Sequence, residues 1–200
     1  MVSGFDFSEK NGSLDWEKLS NLSQRFVYLK ASEGLYAADK SFNVNRTKAK
    51  AHGCLVGAYH WLNPKLNCKQ QADSFAQTLG STKGELPPAV CLELYRSANS
   101  EMERNVRTFV DALTSIIERK MVIYTSSAYW RSYLSKSEWA NRCLLWIDLP
   151  GILFPPQVYP WAGWTFWQTS YQATFPGING NVGRNWFNGS YKELQQLVTL

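Results

Sequence analysis

A β/α barrel is the fold class the sequence predicts, an α/β architecture of the irregular TIM-like kind, and three observations predict it. As far as Pro150, short apolar runs alternate with amphipathic helical patterns, which is the signature of a parallel sheet with crossover helices. About eight strand candidates fall within one chain of 200 residues, more readily closed into a barrel than laid out as an open sheet. Carboxylates and aromatics gather at the C-terminal ends of those candidates, where such barrels carry their chemistry.

The candidates follow in order. "GFDFS" from Gly4, "FVYLKAS" from Phe26 and "CLVGAYHWL" from Cys54 open the series. "AVCLELY" from Ala89, "MVIYTS" from Met121, "LLWIDLP" from Leu144 and "TFWQTS" from Thr165 continue it, and a weaker "VGRNWF" from Val182 closes it. Between them, Ala72, Phe75, Ala76 and Leu79 keep i, i+3, i+4, i+7 spacing before Gly80, a natural helix stop. Val106, Phe109, Val110, Leu113 and Ile117 do the same in what should be the longest helix. From Pro150 onward helical patterns fail and "PGILFPPQVYPWAGW" reads as loop, so incomplete helices are expected in the C-terminal part. The 44% hydrophobic and 14% aromatic content is enough for one core, so residues 1–200 are expected to be a single domain.

Composition excludes several classes. The four cysteines, 54, 68, 91 and 143, form no C-x-x-C pair, and the two histidines, His52 and His60, lie at no zinc spacing from them. No metal and no cofactor are expected, and the thiols should be reduced and packed. The net charge of +5 and pI near 9.0 come from scattered basic residues, a poor match to nucleic acid. No apolar run approaches membrane-spanning length, so no stable membrane insertion is expected. The chain opens "MVSGFDFSEKNG", without a leader pattern, which predicts synthesis in the cytoplasm without a signal peptide.

The chemistry concentrates in "AVCLELY". Side chains alternate along a strand, so Cys91 and Glu93 point one way while Leu92 and Leu94 point the other. Asp6, Glu33, Glu93 and Asp148 all fall at or just past strand ends, together with Tyr59, His60, Trp61, Gln168 and the Trp161, Trp164, Trp167 cluster. Carboxylates to bond hydroxyls and flat rings to stack on pyranose faces are what a sugar cleft needs.

These motifs resemble the glycoside hydrolase family 25 lysozymes, which cleave the β-1,4 bond after N-acetylmuramic acid in peptidoglycan. "GFDFSEKNGSLDWEKL", "FVYLKASEGLYAADKSFNVNRTKAKAHGCLVGAYHWL", "MVIYTSSAYW", "LLWIDLP", "WTFWQTS" and "GINGNVGRNWFNGS" match the family's motifs in order along nearly the whole chain. The resemblance implies an N-acetylmuramidase barrel with Glu93 as catalytic acid and Asp6 beside it. The family's D-x-E reads Cys91, Leu92, Glu93 here, and its V-D-x-N reads Val182, Gly183, Arg184, Asn185. Two cleft aspartates are therefore replaced, at Cys91 and Gly183.

Glycoside cleavage needs one carboxylic acid to protonate the leaving oxygen and a second group as nucleophile, base or charge stabiliser. By resemblance the substrate's own acetamido group attacks, oriented by the aspartate that Cys91 replaces. A neutral thiol cannot do that, and an apolar strand keeps it neutral. Hydrolysis is expected to be impaired, and restoring Asp at 91 and 183 is expected to raise it. Substrate binding is expected from Glu33, as rim scaffolding, and from Tyr59, His60, Trp61 and Tyr124. Asp148, Trp167 and Gln168 complete that set. His60 either lines the cleft or packs, and Asp148 is either a solvated strand end or a substitute for the missing aspartates. The expected partner is peptidoglycan or another N-acetylated glycan, reached at the wall or outside the cell after lysis or non-classical export. The alternative is an inactive pseudoenzyme that binds a glycan or a protein; a barrel enzyme with Cys91 as nucleophile has no base nearby in sequence.

Overall fold

The computed structural model describes residues 1–19, 25–35, 37–82, 84–93 and 99–199. Its strands are β1 (Val2–Phe7), β2 (Phe26–Glu33), β3 (Ala37–Ala38), β4 (Leu55–Trp61), β5 (Ala89–Cys91), β6 (Val122–Thr125), β7 (Leu144–Asp148), β8 (Phe166–Ala173) and β9 (Val182–Phe187). Its α-helices are α1 (Phe42–Ala51), α2 (Cys68–Leu79), α3 (Asn99–Ile117), α4 (Ser127–Tyr133) and α5 (Tyr191–Gln196). All strands but β3 form a closed ring in the order β1, β9, β8, β7, β6, β5, β4, β2, with β1 pairing back to β2. The predicted barrel is therefore present.

Two details correct the sequence reading. β9 runs antiparallel to both β1 and β8, in a ring whose other pairings are parallel. Residues 174–181 contain no helix to carry the chain back along the barrel, so the next strand returns in the opposite sense. The second is α5, in a region read as lacking helix. Ser190 Oγ accepts from Glu193 N at 3.3 Å while Glu193 Oε2 accepts from Ser190 N at 2.7 Å, a reciprocal cap that S-x-x-E announces. Leu194 and Leu197 then plug the N-terminal end of the barrel. The strand read as "AVCLELY" ends at Cys91, Glu93 sits in the turn beyond it, and Leu94 and Tyr95 lie outside the described residues.

Strand alternation sorts the core into two layers. Phe26, Tyr28, Tyr59, Cys91, Tyr124, Trp146 and Phe166 fill the barrel interior. Val27, Leu29, Val56, Ala58, Val90, Ile123 and Ile147 face outward, against Phe75 of α2 and Val106, Phe109 and Val110 of α3. All four cysteines are free and buried.

The same alternation removes two residues from the expected cleft. His60 lies between inward-facing Tyr59 and Trp61, so it points out of the barrel into the helix layer, stacked on Phe109 with ring centroids 5.1 Å apart. Its Nδ1 meets Ser32 Oγ at 2.9 Å and its Nε2 meets Gln71 Oε1 at 3.3 Å, so it packs rather than binds substrate. Trp167 lies between inward-facing Phe166 and Gln168 and also points outward, donating from Nε1 to Leu149 O at 3.0 Å. Trp161 and Trp164 share this outer layer, with Trp161 Nε1 on Cys143 O at 2.9 Å. The tryptophan cluster therefore packs in the outer wall rather than lining the barrel interior.

Burial lowers the His60 pKa from 6.5 to about 4. The unfolded chain takes up a proton near pH 6.5 and the folded one does not until about pH 4, so this residue's contribution is complete above 6.5 and is lost as pH falls between those values. His60→Gln should be less stable than wild type at pH 7.5 yet lose less on acidification, the difference between the two slopes being on the order of 3 kcal/mol by pH 4. Urea unfolding across that range measures it; parallel curves would contradict the buried, neutral placement.

Candidate active site

The C-terminal mouth of the barrel collects polar side chains from strand ends and the turn after β5, alternation turning most of the strand residues inward and a bulge between Lys30 and Ser32 doing so for Glu33. β1 supplies Asp6, β2 supplies Lys30 and Glu33, the turn after β5 supplies Glu93, β7 supplies Asp148, and β8 supplies Gln168. Tyr59, Trp61, Cys91 and Tyr124 form the apolar floor and wall beneath them, Trp61 meeting Tyr124 edge-on at 6.0 Å.

Asp6 is tethered on one oxygen. Gln168 Nε2 donates to Asp6 Oδ1 at 2.6 Å and Asn185 Nδ2 donates to the same atom at 2.8 Å. The chain is anchored further, since Tyr124 Oη donates to Gln168 Oε1 at 2.5 Å and Trp146 Nε1 donates to Asn185 Oδ1 at 2.9 Å. Burial pushes the Asp6 carboxyl up to about 6, against the two amide bonds that pull it down, with Asp148 adding to the rise.

Gly183 pairs with Asp6 across the β1–β9 ladder. A Cβ on Gly183 would come within 1.9 Å of Asp6 Oδ1 and 2.0 Å of Gln168 Nε2. The Asp6 carboxyl and the Gln168 amide therefore occupy the space a side chain at 183 would need. The expectation that Gly183→Asp adds to hydrolysis is corrected on this ground.

Glu93 accepts from Ser126 N, at the start of α4, and hydrogen-bonds with Asp148. Burial first, and Asp148 second, raise its pKa well above the usual carboxylate range, so the group holds a proton at pH values where an exposed glutamate has lost it. Cys91, 2% exposed, lies among Asp6, Glu93 and Asp148, and burial together with those carboxylates pushes its thiol far up. It is neutral and serves neither as nucleophile nor as a charge.

Lys30 is 8% exposed and pairs with Glu33 at 2.5 Å, which ties Glu33 to the wall as rim scaffolding. Asp148 is 4% exposed, buried rather than solvated, and Tyr171 Oη donates to its Oδ1 and Oδ2, both at 2.6 Å. Sequence reasoning missed Lys30, Ser126 and Tyr171, and named Asn185 only as part of a motif, without its bond to Asp6. For Lys30 the signal was available, because it alternates with inward-facing Tyr28.

A half-buried carboxyl with a raised pKa and a second, amide-tethered carboxyl at the C-terminal mouth of a β/α barrel make the kind of arrangement that glycosidases use, one group to give a proton to a leaving oxygen and one to hold negative charge. The sequence pattern of the glycosyl hydrolases family 25 matches residues 5–178, and the chain belongs to that family of lysozymes and muramidases. It is 31% identical to lysozyme M1 of Streptomyces globisporus, over 98% of this chain and 71% of that protein. It is 28% identical to the N,O-diacetylmuramidase of Chalaropsis sp, over 99% of each. The crystal structure of the Streptomyces coelicolor lysozyme superposes with a TM-score of 0.92 at 30% identity, covering 98% of this chain and 96% of that one.

Proposed function

We propose that the protein is a peptidoglycan muramidase of reduced turnover, in which Glu93 protonates the oxygen of the β-1,4 bond after N-acetylmuramic acid. The observation that carries this reading is the placement of Glu93 beside Asp148 at the mouth of a family 25 barrel, where burial and that neighbour raise its pKa. Asp6 turns its tethered carboxyl toward the same mouth, where it can orient the substrate's acetamido group and offset positive charge as the bond breaks. Once the leaving group has gone, the Glu93 carboxylate takes a proton from the incoming water. The reduction follows from Cys91 and Gly183, positions where the family motifs carry aspartate: a neutral thiol adds no charge, and the gap at 183 is filled by Asp6 itself. The substrate of this reading is peptidoglycan of the cell wall.

Binding should survive where turnover is weak, since Trp61, packed on Tyr59, keeps a partly exposed aromatic face at the mouth. Titrating a soluble muropeptide against intrinsic fluorescence or calorimetric heat should give saturation below millimolar ligand. Trp61→Ala should weaken it about tenfold, the loss of one aromatic contact. Absence of any saturable signal from the folded protein would contradict the glycan cleft.

A further inference from the structure

Glu93 does not stand alone at the barrel mouth. In register, Cys91 pairs with Tyr124 and Tyr124 with Trp146, so the next inward-facing positions up the wall, Glu93 after β5 and Asp148 at the end of β7, stand at one height. At that height β6 has ended and Ser126, which caps α4, binds Glu93 through its backbone N, so that Asp148 is the carboxyl next to Glu93 across β6. Asp148 is buried and fixed by one hydroxyl that spans both of its oxygens.

We propose that Asp148 is a positioning residue for the proton donor: Asp148 and Glu93 share one proton across the mouth, with the Tyr171 hydroxyl keeping the negative charge of the pair on Asp148. This rests on the reading of Glu93 as the acid. Two neighbouring carboxyls at a poorly solvated mouth repel strongly when both ionise, so the pair retains a proton that a single carboxyl would release. Other described groups facing Glu93 do not supply this charge. Cys91 on its own strand, Tyr124 from β6 and Tyr171 from β8 are all pushed up by burial and stay neutral. From β2, Lys30 is taken up by Glu33, and from β1 the Asp6 carboxyl is held by the Gln168 and Asn185 amides, while the carboxylate that raises Glu93 is Asp148. The pair thus provides from β7 the neighbouring carboxylate that Cys91 does not provide from β5.

The test is the titration of the Glu93 carboxyl carbon by NMR, with the pH profile of peptidoglycan turnover, in wild type, Asp148→Asn and Tyr171→Phe. In Asp148→Asn the Glu93 midpoint should fall by about one pH unit or more, and the alkaline limb of the turnover profile should fall with it. Turnover at neutral pH should drop ten- to a hundredfold with KM held within about twofold. An unchanged Glu93 midpoint in folded Asp148→Asn overturns the proposal, as does an unchanged pH profile. If that variant does not fold, Tyr171→Phe decides: a moved Glu93 midpoint supports the shared proton, and a fixed one overturns it. Should no variant and no wild type release muropeptides, the hydrolytic reading fails, while the titration still decides whether the proton is shared.

Discussion

Replacing Glu93 by Gln is expected to lower turnover of purified peptidoglycan by a factor on the order of 10² to 10⁴. The amide keeps the shape of the side chain, and its oxygen can still accept from Ser126 N, so the mouth of the barrel should keep its form. What is lost is the proton: an amide N–H is far too weak an acid to protonate a departing sugar oxygen. Muropeptide affinity should stay within a few-fold of wild type, separating loss of chemistry from loss of binding. Stability should move the other way. Burial and Asp148 raise the Glu93 pKa from 4.5 to about 7 in the folded state, so the group opposes folding in full above about 7, and the opposition shrinks as pH falls between those two values and is gone below 4.5. Glu93→Gln should therefore unfold at higher urea than wild type in alkaline solution, with the gain shrinking toward acid pH. A variant that turns over as wild type does would remove Glu93 from the mechanism.

Cys91→Asp is expected to raise turnover by a factor on the order of 10², the opposite outcome at a position two residues away. The new carboxylate would be of nearly the size of the thiol it replaces and would sit among Asp6, Glu93 and Asp148. There it would favour the protonated form of Glu93 and stabilise positive charge on the substrate. Crowding a further carboxyl into a buried, acidic mouth should destabilise the fold by about 1–3 kcal/mol. Gly183→Asp should not help, because Asp6 Oδ1 lies 1.9 Å from where its Cβ would be built, and admitting it means pushing Asp6 off its amide tether. Turnover and unfolding midpoints of the two variants, compared with wild type, check both statements. A folded Cys91→Asp without gain would mean that position 91 does not limit the reaction.

Much of this was legible before any coordinates. The barrel follows from strand and helix periodicities, and the carboxylates were placed at the correct end because parallel barrels put strand ends and chemistry together. Alternation was the underused signal. The rule that paired Cys91 with Glu93 on one face also puts His60 and Trp167 outside the barrel, because each lies between two inward-facing neighbours. The antiparallel β9 was hidden because period-two patterning carries no strand direction; only the missing helix before it hinted at the return. Gly183 read as a plain loss, whereas in three dimensions its missing side chain makes room for Asp6 and Gln168. The approach of Asp148 to Glu93 depends on inter-strand register, which a single strand's sequence does not encode.

The most direct measurement is mass spectrometry of the fragments released from borohydride-reduced digests of purified peptidoglycan, followed over time for wild type and for Glu93→Gln. Slow muramidase action predicts muropeptides ending in reduced N-acetylmuramic acid, released by wild type at least about a hundredfold slower than by a family 25 enzyme that keeps both aspartates, and absent with Glu93→Gln. Release of no fragment by wild type beyond the Glu93→Gln control, or release at the rate of that intact enzyme, would contradict it.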